Sequence, residues 1–172
     1  ETESVTVNQP ASALNAALSI TGVSGNGGSN GTATVTPSGG TPSYTYSWAP
    51  SGGTAATATG LSAGVYSVTI RDANSCTLSV SDILITQPPV LTLSPANGAT
   101  FATTQGDAFS QSFTANGGVG GYSYLVTTGA LPAGLSLNSA SGVVSGTSPA
   151  SGTANFSITV TDSNGVSKTQ SY

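Results

Sequence analysis

The chemistry open to this chain is set by six carboxylates, one thiol and a complete lack of imidazole. The acids are Glu1, Glu3, Asp72, Asp82, Asp107 and Asp162. Without histidine, Ser-His-Asp and Cys-His arrangements, His-containing zinc sites and the commonest general base are excluded. A single cysteine, Cys76, also excludes a Cys-only zinc site. A two-carboxylate glycosidase site needs its pair within about 10 Å in a cleft. Here the acids are scattered, and Asp72 and Asp162 fall in different halves of the sequence. The sequence therefore reads as that of a protein that is not an enzyme.

Calcium is the better chemical question. Asp72 with Asn74, and Asp162 with Asn164, place oxygen ligands at two turns. Calcium takes six to eight oxygens, usually with several carboxylates among them. Each turn brings only one, so a turn capped by its own Asx side chain is the favoured reading and calcium the alternative. No other cofactor is implied. Tyr44, Tyr46 and Trp48 form a same-face aromatic row. Such a row can present a flat strip to a glycan or fill a small core; core is favoured, because the strand otherwise has little to bury. Gly25–Gly31 lacks the ending and following helix of a phosphate-cradling loop and reads as a turn. Cys76 reads as a small buried hydrophobe, with an intermolecular bridge as the alternative. Asn30-Gly31-Thr32 and Asn155-Phe156-Ser157 match the N-glycosylation pattern.

The elements that would position these groups are strands. Residues 66–75 run Tyr-Ser-Val-Thr-Ile-Arg-Asp-Ala-Asn-Ser, and residues 156–165 run Phe-Ser-Ile-Thr-Val-Thr-Asp-Ser-Asn-Gly. Both alternate with a period of two and end in an Asp-x-Asn turn, the pattern of a half-buried strand. Tyr66, Val68 and Ile70 would face one core, and Phe156, Ile158 and Val160 another. Two further echoes, Asn8-Gln9-Pro10 with Thr86-Gln87-Pro88 and Tyr44-x-Tyr46 with Tyr122-x-Tyr124, lie 78 residues apart, whereas the strand copies lie 90 apart. Such self-similarity signals an array. The second unit thus carries an insertion of about 12 residues, around Leu131–Leu135.

Composition agrees. Of the 172 residues, 37% are hydrophobic and only 5% charged, against about 25% charged in an ordinary domain. Arg71 and Lys168 are the only basic residues and the net charge is −4. No basic patch can neutralise phosphates, which argues against nucleic acid. No run approaches the roughly 18 apolar residues of a membrane span. With no Met and no visible signal peptide, the chain reads as a processed or excised piece of something longer.

In chain order, strands are expected at residues 16–23, 32–36, 44–48, 54–59, 66–70 and 77–86 of the first unit. Ser4-Val5-Thr6-Val7 forms a short alternating strand that matches Ile83-Leu84-Ile85 by the 78-residue offset. Residues 1–9 are thus the end of a preceding unit or a strand to donate. Val166–Tyr172 begins a final strand that reads as short or missing. Strand donation between subunits and truncation of a longer array both fit these two ends.

Residues 9–88 resemble an SprB-type repeat of the large surface adhesins of gliding bacteria. The likeness rests on Gly28–Ala33, Ser38–Pro42, Tyr44–Trp48, Gly60–Tyr66 and Asp72–Cys76. Family members often carry a second Cys in the early loop, where this chain has Gly25, so a family disulfide does not carry over. The second half resembles the immunoglobulin-like modules common in bacterial surface proteins, through Ala130–Leu137, Ser141–Thr147 and Phe156–Gly165. Leu131, Leu135, Leu137, Val143 and Val144 read as core.

The expectation is an all-β chain of two tandem immunoglobulin-like β-sandwich modules, 10–88 and 89–172, joined by a short Pro88-Pro89 linker. The resemblance implies an extracellular protein of the bacterial cell surface with a structural or adhesive role. It would be a repeat of a large adhesin or a subunit of a filament joined by β-strand donation, its partners neighbouring copies or repeats of the same protein. The alternative is a carbohydrate-binding module that meets surface glycans.

Overall fold

The computed structural model describes residues 12–172. Ser4, Val5, Thr6 and Val7, the expected donor strand, lie outside the described residues. The chain divides into two compact units, one running to Gln87 and the other from Pro88 to Tyr172. All regular structure among the described residues is β.

The first unit holds β1 (Asn15–Thr21), β2 (Gly31–Ser38), β3 (Thr45–Ala49), β4 (Thr57–Leu61), β5 (Gly64–Arg71) and β6 (Thr77–Ile85). They form two antiparallel sheets, ordered β1-β2-β4 and β3-β5-β6. The alternation does what the pleat requires: Tyr66, Val68 and Ile70 are buried, while Val65 between them and the turn is exposed. Val35, Trp48, Leu61, Ile83 and Ile85 complete this core. The strand expected at 54–59 starts and ends later, at Thr57–Leu61. The anchor is Leu61, 1% exposed and paired with Gly31, which draws the strand through Gly60 at φ +69°.

The second unit holds β7 (Thr92–Ser94), β8 (Ala108–Ser112), β9 (Thr114–Asn116), β10 (Ser123–Gly129), β11 (Leu135–Leu137), β12 (Val143–Thr147), β13 (Phe156–Thr161) and β14 (Ser167–Ser171). The sheets are β11-β12-β8 and β10-β13-β14, with β7 paired to β9. The inserted residues supply β11, which has no counterpart in the first unit. Phe113, between β8 and β9, is 1% exposed and packs edge-on against Phe101, Phe156 and Tyr172 at centroid distances of 5.6, 6.4 and 4.8 Å. The Tyr172 hydroxyl donates to the Pro95 carbonyl at 2.8 Å, and burial pushes its pKa up to about 12.

The final strand, expected to be short or missing, is present and short: β14 pairs with β13 over five residues, from Thr161–Ser167 to Ser157–Ser171. One expectation needs correction here. Of the two valines read as core, Val144 is buried but Val143 is half-exposed. Neighbours on a strand point to opposite faces, so only one of the pair can enter the core.

Candidate functional site

The groups singled out for chemistry converge on one feature, built twice. In the first unit Asp72 directly follows β5 and is buried, 4% exposed. Its Oδ1 accepts the N–H groups of Asn74 (2.9 Å) and Cys76 (2.8 Å), and its Oδ2 accepts that of Thr41 (2.9 Å). The Asp72 N–H in turn donates to the Cys76 carbonyl at 2.9 Å, and Asn74 Nδ2 donates to Thr41 Oγ1 at 2.8 Å. One carboxylate therefore closes the turn between β5 and β6 and ties it to the turn between β2 and β3. The approach demands glycine: at Gly40, φ is +61° and a Cβ would stand 2.8 Å from Asp72 Oδ2. The Tyr44 hydroxyl donates to the Gly39 carbonyl at 2.6 Å and fixes the same turn.

The second unit repeats the three carboxylate bonds, with Val119 in the place of Thr41 and so without the Asn74–Thr41 side-chain bond. Asp162, 5% exposed, accepts from Asn164 (3.0 Å) and Val166 (2.9 Å) through Oδ1 and from Val119 (2.9 Å) through Oδ2. Gly118 has φ +61°, its Cβ position 2.7 Å from Asp162 Oδ2, and the Tyr122 hydroxyl donates to the Gly117 carbonyl at 2.7 Å. In each unit the backbone bonds, led by Thr41 for Asp72 and Val119 for Asp162, hold the carboxyl below its ordinary pKa against the opposing effect of burial. Hydrogen bonds to the charged form act in that direction.

The sequence picked out Tyr44, Tyr122 and the two Asp-x-Asn turns but not the glycines they fasten. The signal was present: Gly39-Gly40 recurs as Gly117-Gly118 at the same 78-residue spacing as the tyrosines. Asp72, Asn74, Asp162 and Asn164 serve as turn caps, with both oxygens of each carboxylate already engaged. Among the described residues no three acidic, Cys or His groups come together. Asp82 is exposed at φ +58°, accepting from Ser81 Oγ at 2.9 Å. Of the aromatic row, Trp48 is 7% exposed, its indole N–H donating to the Ala55 carbonyl at 2.9 Å, while Tyr44 and Tyr46 are half-buried against the same core. Cys76 is exposed, which overturns its reading as a buried hydrophobe. It sits in the capped turn, where its backbone, not its side chain, faces Asp72.

A second recurring contact joins the entering and leaving strands of each unit. The Val23 N–H donates to the Thr86 carbonyl at 2.7 Å in the first. In the second, the Gly98 N–H donates to the Ser171 carbonyl at 2.8 Å and Asn97 Oδ1 accepts the Ser171 N–H at 2.6 Å. Both contacts lie at the end opposite the capped turns. In each unit the first and last strands therefore run the same way, from the capped end to the bonded end.

Comparison with known families follows the same division. Residues 17–53 match the SprB repeat model, and residues 88–172 match the model described as "Putative Ig domain". The match to an SprB repeat precedes the match to a "Putative Ig domain". The order is the one the sequence motifs suggested, and the two matches together point to a surface-associated, adhesin-like module. Among solved structures, the three N-terminal domains of the highly immunogenic outer capsid protein (Hoc) of bacteriophage RB49 align with a TM-score of 0.54 at 15% identity. The alignment covers 92% of this chain and 58% of that one, so the chain spans little more than half of the Hoc fragment. The likeness is one of fold. A C-terminal 282-residue intimin fragment, solved with the intimin-binding domain of the translocated intimin receptor, aligns at a TM-score of 0.42 and 20% identity, over 90% of this chain and 63% of that one. That score is too low to carry an argument. No curated protein matches.

Proposed function

We propose that the chain is a load-bearing structural module of an extracellular bacterial surface protein, either a repeat of a large adhesin or a filament subunit. The observation that carries this reading is the bonded contact between first and last strands in both units. Tension along the chain enters a module through its first strand and leaves through its last. Because these strands run the same way and are bonded at the far end, tension shears the contact instead of unzipping it. The carboxylate-capped turns hold the opposite end. This arrangement is present in both the SprB repeat and the Ig domain, although the two share little sequence beyond the motifs described.

The surface also suits an exposed, polar setting. On the outer face of β10-β13-β14, hydroxyl pairs replace charge pairs: Thr127 with Thr159 at 2.9 Å, Thr159 with Thr169 at 2.6 Å and Thr161 with Ser167 at 2.9 Å. Cross-strand hydroxyl pairs stabilise a sheet without depending on ionic strength. The glycan-binding reading gains no support, because Trp48 lies in the core. Pulling single chains by their ends tests the proposal. Two separate high-force unfolding events per chain are expected; extension at low force without distinct events would overturn it.

A further inference from the structure

Sheet edges are blunted by short length, proline, a bulge or a charge. In the SprB repeat β6 carries a register shift and Asp82 at φ +58°, and β4 a register shift and Gly60 at φ +69°. β3 runs five residues and stops before Pro50. In the Ig domain β10 is shifted in register at Val126–Thr128, and β14 carries Lys168. β8 there has five residues, and β7, β9 and β11 have three each. β1 has none of these devices. Asn15-Ala16-Ala17-Leu18-Ser19-Ile20-Thr21 is seven residues in unbroken register with β2, without proline, glycine or charge. Among the described residues no strand pairs with its other edge.

The hydrogen bonds of β2 fix which groups of β1 face outward. Val35, opposite Leu18, donates its N–H to the Ala56 carbonyl on the far side of β2 at 3.0 Å. The Leu18–Val35 pair is therefore not hydrogen-bonded, and by alternation the N–H and C=O of Ala16, Leu18 and Ile20 point away from β2. Asn15 Oδ1 takes the Ala16 N–H at 2.7 Å, which leaves those of Leu18 and Ile20 turned to the edge. Their side chains share the inward face with Val35 and Ala33, which are buried, yet they are 39% and 41% exposed. The Ig domain does not share this edge. Leu14 and Leu91 hold the same place, each with Cδ1 3.3 Å from the Cβ position of Gly40 or Gly118. Counted from them, Leu18 and Ile20 correspond to Pro95 and Asn97. There Pro95, with no N–H to offer, follows β7, and the Asn97 side chain accepts from Ser171.

We propose that β1 pairs with β1 of a second copy, antiparallel about a two-fold axis through Ser19. The pairing goes beyond the load-bearing role and does not depend on it. Leu18 then lies opposite Ile20 of the second copy, and Ile20 opposite its Leu18, and these two pairs exchange the backbone hydrogen bonds left open at the edge. Two three-stranded sheets become one. The axis stands perpendicular to the sheet, so the four half-exposed side chains gather on the same, inward side. On the outer face Ser19 meets Ser19 of the second copy, in line with Thr34 and its hydroxyl pair with Thr57 at 3.0 Å. The edge itself selects a copy of this chain as occupant. The strand matches itself in length and register, and being uncharged it meets its copy without like charges opposed, although each chain carries a net charge of −4. A two-fold contact of this kind also closes on itself. Only two backbone pairs and four apolar side chains are joined, so a single contact is weak and copies held close together gain by effective concentration.

The test uses the full chain with Cys76→Ser, so that no native thiol interferes. Ser19→Cys places a thiol on the axis, opposite its own copy in a non-hydrogen-bonded pair and within disulfide reach. Ala17→Cys is the control, also exposed and on the same outer face. Its two copies stand four residues apart along the joined strands, roughly 13 Å. Mild oxidation at equal concentration is expected to give at least about tenfold more disulfide-linked dimer from Ser19→Cys than from Ala17→Cys. Adding Ile20→Lys sets a charge on the joined edge and should cut the Ser19→Cys yield at least about tenfold. The SprB repeat should keep its melting transition, because a lysine at this half-exposed position reaches water in the single chain. Absence of the dimer, equal yields from the two thiols, or a Ser19→Cys yield unmoved by Ile20→Lys would each overturn the proposal. A segment of the same chain or an unrelated protein lying over β1 would give the first of these results. Should Ile20→Lys unfold the repeat, the contrast between Ser19→Cys and Ala17→Cys decides alone.

Discussion

Asp72 and Asp162 each gather three backbone N–H groups, and an amide in place of either carboxylate would turn one N–H-accepting oxygen into a donor. Asp162→Asn is therefore expected to lower the melting temperature of the Ig domain by roughly 5–10 °C, and to leave the SprB repeat unchanged; Asp72→Asn should do the converse. Calorimetry that resolves the two transitions checks this. The pH dependence follows from the sign of the shift. Both carboxyls titrate lower folded than unfolded, so their stabilisation is complete above the unfolded value of about 3.9. It is lost as pH falls through that value towards the lower folded one. Thermal melts from pH 7 to pH 2 should show this acid-side loss in each module, and the matching Asp→Asn variant should flatten it. Two glycines of the Ig domain separate backbone strain from crowding. Gly165 has φ +80° with open space around its Cβ position, whereas Gly118 adds a contact at 2.7 Å with Asp162 Oδ2. Gly165→Ala should cost about 1 kcal/mol from the left-handed backbone alone, and Gly118→Ala clearly more. Chemical denaturation of the two variants decides it.

At the scale of elements, the strands and their inward faces were legible because alternation is a direct consequence of the pleat. Tyr66, Val68, Ile70, Ile158 and Val160 all enter the cores. Three things were not legible, each for a physical reason. Val143 and Val144 are adjacent, and a hydrophobic pair does not reveal which member faces inward. Cys76 has the chemistry of a core residue but sits in a turn whose hydrogen bonds use only its backbone. The bonds from Asp72 to Thr41 and from Asp162 to Val119 span 31 and 43 residues, and no local pattern encodes a partner so far along the chain. The aromatic cluster of the Ig domain belongs to this scale as well. Phe113 interrupts β8 and β9 and contacts three other rings. Phe113→Ala should cost about 3–5 kcal/mol, confined to the Ig domain, which urea titration followed by near-ultraviolet circular dichroism would show.

At the scale of the molecule, two units with different loops and one extra strand preserve the same pair of fastenings. One is a buried carboxylate at one end of the sandwich, and the other is a bonded contact between entering and leaving strands at the opposite end. That economy suits a part used in tandem, where every unit meets the same load. Forced unfolding reports the barrier to unfolding and not the equilibrium stability, so it reads this contact directly. The decisive measurement is single-molecule pulling of the full chain beside its Asn97→Ala variant, which removes the side-chain acceptor of the Ser171 N–H. The native chain should give two high-force events, each releasing roughly 250–300 Å of contour length. Asn97→Ala should lower the force of one event only, with the melting temperature of the Ig domain little changed. Equal forces in both chains, or a single low-force extension in the native one, would contradict the load-bearing account.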